Sequence, residues 1–172
     1  MSDRKSNSNG GPGQSVRLPV PGEIMPDIAL ITGGGGRVRF SDYRGRRNLV
    51  LIFAGKGESD AARQFLGRFS EMYSEFVGEE AEVLTIVQGA RDRVKDLGRI
   101  HRLPFPVLAD EDCRVHSVAG APETAQDYLP VVYVIDRYGE IRKVFRAEQS
   151  EGAYTPQDVL DWVRFVNLEC PE

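Results

Sequence analysis

The chain has 172 residues, a net charge of -4 and 41% apolar residues, enough for one domain with its own core. The mild acidity argues against a nucleic-acid binder, which carries a strong basic excess. No apolar run reaches the roughly 20 residues of a membrane span, so a soluble protein is expected, with no membrane and no nucleic acid among its partners.

Residues 1–17 are Ser, Asn, Gly and charge, with almost nothing to bury, and are expected to be a disordered tail. They carry no apolar stretch of a secretory signal. VRLPVPGEIMP follows as a proline-marked extended lead-in. DIALIT and RVRFSD flank the four glycines Gly33 to Gly36 and predict a hairpin. The glycines do not open a helix, so they are a turn rather than a phosphate loop. NLVLIFA reads as a strand buried on both faces.

A helix is expected from about Ser59 to Val77, on the three-four spacing of Ala62, Phe65, Leu66, Phe69, Met72, Tyr73 and Phe76. Gly78 is its expected stop. AEVLTIVQ is the next buried strand. RDRVKDLGRIHR is a polar helix with a narrow apolar face of Val94, Leu97 and Ile100. FPVLAD is a short strand, and DEDCRVHSVAG a helix opened by acids and closed by glycine. VVYVID and EIRKVFRA form a second hairpin around RYG. Thr155, Pro156 and Asp158 mark a capped start for the last helix, whose apolar face is Val159, Trp162, Val163 and Val166. The order is a hairpin, then β, α, β, α, β, α, then a second hairpin and a closing helix. The βαβ pairs imply parallel strands joined by right-handed crossovers.

This order resembles the thioredoxin fold as used by peroxiredoxins of the alkyl hydroperoxide reductase and thiol-specific antioxidant group. Five stretches carry the likeness: Pro21 to Ile28, Phe40 to Arg47, Leu49 to Phe53, Leu103 to Asp110 and Val134 to Ile141. The resemblance implies an α/β fold, a central mixed sheet flanked by helices with an N-terminal β-hairpin, over residues 18–168. Residues 169–172 are left as a C-terminal tail. It also implies a redox cysteine where the strand Leu49 to Phe53 turns into the following helix, since a helix N-terminus stabilises a thiolate. The corresponding turn here is Gly57-Glu58-Ser59-Asp60, and no cysteine precedes Cys113. Leu129-Pro130 falls where thioredoxin-like proteins carry a cis-proline and many peroxiredoxins an arginine.

Other chemistry is thinly represented. Ser59 or Asp60 is expected to cap the helix. Ser59 as a nucleophile needs an adjacent base, and the two histidines, His101 and His116, lie on other elements. Glu58 and Asp60 suit a helix start. The stretch AGKGES lacks the spacing of a Walker loop. Cys113 is expected in the first turn of a helix with His116 three residues on, features that favour a thiolate. Asp110, Glu111 and Asp112 oppose it by charge. Cys113 and His116 alone lack the further ligands of a metal site, and no cofactor is expected. Cys170 is a candidate partner for Cys113. Two cysteines so far apart are no disulfide framework and fit a reducing, cytoplasmic compartment. The basic cluster Arg37, Arg39, Arg44, Arg46 and Arg47 offers an anion or nucleic-acid patch. It has no interleaved aromatics for base stacking, and the alternating Arg37 and Arg39 more simply mark the wet face of a hairpin strand.

The resulting expectation is a redoxin-family protein that binds rather than catalyses. It would hold a protein partner, an extended peptide segment or a small ligand in a groove between Gly57–Asp60 and Leu129–Pro130, and a homodimer would resemble the family. The alternative is a thiol oxidoreductase or peroxidase that uses Cys113, with Cys170 as its partner.

Overall fold

A computed structural model describes residues 19–121, 129–146 and 153–169. The expected tail over residues 1–17 and the residue Cys170 lie outside them. Four helices and seven strands follow the expected order: β1 (Ala29–Thr32), β2 (Arg37–Arg39), β3 (Asn48–Phe53), α1 (Asp60–Gly78), β4 (Ala81–Gln88), α2 (Arg91–Ile100), β5 (Val107–Asp110), α3 (Arg114–Val118), β6 (Val131–Ile135), β7 (Ile141–Phe145) and α4 (Pro156–Glu169). The strands form one mixed sheet in the order β2-β1-β5-β4-β3-β6-β7. β3, β4 and β5 are parallel. The two hairpins add antiparallel strands at the two edges, through β1 on β5 and β6 on β3.

The topology decides what covers each face. The crossovers from β3 to β4 and from β4 to β5 run in one direction, so α1 and α2 share a face, which α4 joins. The chain then returns from β5 to β6 across the opposite face, carrying α3. Alternation sorts the strand residues accordingly. Val50, Ile52, Val83 and Val87 meet Phe65, Leu66, Phe69, Phe76, Val94 and Val163. Leu51, Phe53, Leu84, Ile86, Leu108 and Tyr133 meet Val115, Ala119 and the N-terminal segment at Met25 and Phe40. Each fully buried Leu or Phe contributes about 2 kcal/mol of hydrophobic stabilisation. A sheet with two covered faces explains why all six residues of β3 are buried.

Three local expectations are corrected. Gly78 is the last residue of α1 rather than its stop, and Glu79 caps it through N–H bonds to Glu75 and Phe76 carbonyls. The left-handed residue of that turn is Glu80, at φ 53°. Ile100 is 67% exposed and does not join Val94 and Leu97 in the core. α3 spans only Arg114–Val118, and Cys113 precedes it as a left-handed N-cap at φ 57°. The start of α4 is as expected. Thr155 Oγ1 accepts from Asp158 N–H at 3.3 Å, and Asp158 Oδ2 accepts from Thr155 N–H at 2.7 Å. Among the described residues, no helix is long and apolar enough to cross a membrane.

Candidate functional site

In open α/β sheets the chemistry gathers beyond the carboxyl ends of the parallel strands. Here those ends are Phe53, Gln88 and Asp110. The loop after β3 runs from Ala54 to Ser59. Gly57 N–H bonds the Ala54 carbonyl at 2.9 Å, and Gln88 N–H bonds the Gly55 carbonyl at 2.7 Å. Glycine is required at position 57 for two reasons. Its φ is +67°, and a Cβ there would meet Leu97 Cδ1 of α2 at 2.6 Å. The loop is thus pressed against Leu97 in the second half of α2.

Ser59 caps α1 as expected, its Oγ accepting from Ala62 N–H at 3.1 Å. Glu58 pairs with Arg93 of α2, and Asp60 lies 3.8 Å from Arg63 of its own helix. Arg63 also donates to the Glu58 carbonyl through Nε and Nη2. The side chains at this junction are therefore spent on capping and ion pairing. Pro130 and Leu129 arrive beside the loop because Val131 stands opposite Phe53 in the β3–β6 ladder. Pro130 is buried, and Leu129 packs with the core under α1. No peptide bond among the described residues is cis, so the Leu129–Pro130 bond is trans, unlike the cis-proline that the resemblance implies.

The structure does not set His116 against Cys113. The His116 ring is fully buried, and its Nδ1 lies 2.7 Å from Asp110 Oδ2. The same carboxylate accepts from His116 N–H at 2.8 Å and from Val115 N–H at 3.3 Å. Burial pushes the Asp110 carboxyl up, but these bonds from His116 and Val115 outweigh it and hold it below its ordinary value. His116 Nε2 has no hydrogen-bond partner among the described residues, and its ring stands edge-on to Phe53 at 5.5 Å between centroids. Cys113 is half-buried, its N–H 3.4 Å from the Asp110 carbonyl. A left-handed cap before a five-residue helix offers a thiolate little of a long helix's dipole.

A further polar group was not foreseen. Arg146, just after β7, donates to the Ala119 carbonyl at 2.8 Å, the Gly120 carbonyl at 3.0 Å and Tyr133 Oη at 2.8 Å. It grips the end of α3 from the opposite side to Asp110. The sequence carries little signal for it: Arg146 follows a strand, IRKVF, that already holds Arg142 and Lys143. The basic residues of the first hairpin are partly engaged as well: Arg39 pairs with Asp27 at 3.0 Å, and Arg44 donates to the Met25 carbonyl at 3.2 Å. Among the described residues, no three His, Cys, Asp or Glu side chains gather as a metal site.

Comparison with known proteins agrees with this architecture. The model of the AhpC/TSA family matches residues 21–144. The chain belongs to the AhpC/TSA family. Among its relatives, chloroplastic peroxiredoxin Q of Triticum aestivum is 27% identical over 126 residues, which are 72% of this chain and 58% of the relative. Peroxiredoxin Q of Gentiana triflora is 25% identical over 141 residues, 78% of this chain and 64% of the relative. The chain thus spans less than two thirds of these relatives' length. Peroxidoxin BcpB from Mycobacterium tuberculosis superposes with a TM-score of 0.74 at 18% identity, covering 87% of this chain and 98% of that one. Enterococcus faecalis AhpC gives 0.72 at 19% identity, covering 90% and 100%. The family and its thioredoxin-like fold are those the sequence motifs imply. In this member, Ser59 and Asp60 occupy the start of α1, where the resemblance places a redox thiol.

Proposed function

We propose that this AhpC/TSA-family chain acts by binding rather than by thiol catalysis. It would hold an extended peptide segment of a partner protein in the groove between Gly57–Asp60 and Leu129–Pro130. The observation that carries the reading is the state of the α1 junction. Ser59 Oγ is bonded to Ala62 N–H, Glu58 and Asp60 face Arg93 and Arg63, and the turn holds no sulfur. No base lies in hydrogen-bond reach of Ser59 among these contacts, which a serine nucleophile needs. An extended segment beside Pro130 would be recognised through main-chain hydrogen bonds, which need no thiol. A homodimer is part of the same proposal.

The competing reading uses Cys113 as the thiol of a peroxidase, because both cysteines of the chain lie after the α1 junction. Its His116 is committed to Asp110, which weakens it. Mass spectrometry after stoichiometric hydrogen peroxide with a sulfenate trap separates the two. The binding reading expects labelling of Cys113 no faster than in the unfolded chain. Rapid, selective capture at Cys113 overturns it. Amide shifts on titration with a library of short extended peptides then test the groove. Changes confined to residues 57–60 and 129–131 are expected, and changes elsewhere alone reject the site.

A further inference from the structure

We propose that Asp110 and His116 are a positioning pair for the groove. The Asp110 carboxylate fixes the His116 ring with its proton on Nδ1 and bolts α3 across the carboxyl ends of β3 and β5. The consequence for the groove rests on the binding reading above, whereas the pair itself does not.

The argument starts from the length of α3. Five residues cannot sustain a helix alone, and the N-cap Cys113 supplies no side-chain capping bond. The missing acceptor comes from the strand before it. Asp110 ends β5 with its side chain on the α3 face, where it accepts both Val115 and His116 N–H groups, doing the work of a cap from a position three residues earlier than Cys113. The His116 ring supplies the third bond. A carboxylate held below its ordinary value is an acceptor only, so the shared proton of that bond belongs to His116 Nδ1.

The ring touches side chains from two strands. Nδ1 bonds Asp110 of β5 and the ring meets Phe53 at the end of β3, and β4 lies between those two strands in the sheet. Gln88, the ladder partner of Asp110, leaves β4 on the same face as Leu84 and Ile86. Its Nε2 has no partner among the described residues, and neither has His116 Nε2. With the proton on Nδ1, His116 Nε2 is an acceptor on the face that also carries an unsatisfied amide donor. With the proton on Nε2 instead, two buried donors would both go without partners, at a cost. At its far end α3 is held by Arg146 on the Ala119 and Gly120 carbonyls. The His116 ring packs edge-on to Phe53, whose ladder partner is Val131, next to Pro130 in the groove wall. Asp110 therefore reaches that wall through the His116 ring.

The test uses the full chain, nitrogen-15 labelled, without any partner. Ring nitrogen shifts at neutral pH are expected to report Nδ1 protonated and Nε2 bare. In Asp110→Asn the amide offers a donor where the carboxylate was an acceptor, and the His116 proton is expected to move to Nε2. Amide exchange at Val115 and His116 is expected to quicken about tenfold or more, while β3 amides stay slow. Should Asp110→Asn fail to fold, His116→Phe keeps a ring against Phe53 but removes the Nδ1 bond, and the same local loosening of α3 is expected. A wild-type ring protonated only on Nε2 overturns the proposal. So does unchanged exchange of α3 in both variants. Because no partner is present, a protein with an empty groove still answers this test. A negative peptide titration combined with the expected shifts rejects the groove and leaves the pair standing.

Discussion

Two strand-to-helix junctions lie at the same end of the sheet, and they are built in opposite ways. The junction into α1 is held by its own side chains. Ser59 caps, Glu58 and Asp60 pair with arginines, and a 19-residue helix with an apolar stripe follows. The junction into α3 is held from outside. Its helix has five residues and its cap residue is left-handed, and the bonds that fix it come from Asp110 on β5 and Arg146 after β7. A long amphipathic helix carries its stability in its own sequence period. A short one borrows it from polar groups that only folding brings near. In this family member, the polar side chains buried at the carboxyl end of the parallel strands are on the α3 side and not at the α1 turn.

That contrast can be broken at either junction. The largest effect is expected at α3. Asp110→Ala leaves two buried N–H groups and the His116 ring without their acceptor, and should cost about 4 kcal/mol in urea unfolding. Next is Gly57→Ala at the α1 turn. The left-handed φ and the approach to Leu97 together should cost about 3 kcal/mol by the same measurement. Arg146→Leu removes the far grip on α3 and should cost about 2 kcal/mol. It should raise the exchange of the Gly120 and Ala121 amides while leaving α1 protected. Ser59→Ala should cost the least, about 1 kcal/mol, because it removes a single cap bond from a helix otherwise held by packing.

Acid sharpens the comparison further. Asp110 is held below its ordinary value when folded, so the folded state favours its carboxylate. Its contribution is complete above the ordinary carboxylate range and is lost as pH falls through the lower folded value. Urea midpoints measured down the acid limb should therefore fall less steeply in Asp110→Asn than in the parent. An identical acid slope in both would mean that Asp110 is not the group being titrated.

The fold was legible because its signals are local and redundant. The continuous apolar runs at Leu49–Phe53 and Ala81–Gln88 specify doubly covered strands, and the spacing from Ala62 to Phe76 specifies one buried helical face. The cap at Ser59 and the box at Thr155–Asp158 could be read for the same reason, since each joins residues three apart. Two expectations turn on how the chain continues past the helix. A glycine after the apolar period of α1 predicts a stop at Gly78, whereas the turn into β4 places its left-handed residue at Glu80. Ile100 fell on the apolar period of α2 but past the edge of the layer it packs against.

Cys113 and His116 are the sharpest instance. Their spacing in sequence suggested a pair, and the tertiary structure gave the ring to Asp110 six residues back. The short separation does not report this because α3 begins later than its acids indicate, which shifts the phase of the helix face. The sequence by itself determined the family, the strand order along the chain and the absence of a cysteine from the α1 turn, since all three are written in contiguous residues. Only the tertiary structure decided which polar groups are buried together. Asp110, His116, Gln88 and Tyr133 come from four different elements, and Arg146 from the chain just after β7. Their meeting is fixed by the return of the chain across the second face of the sheet, which no local pattern encodes.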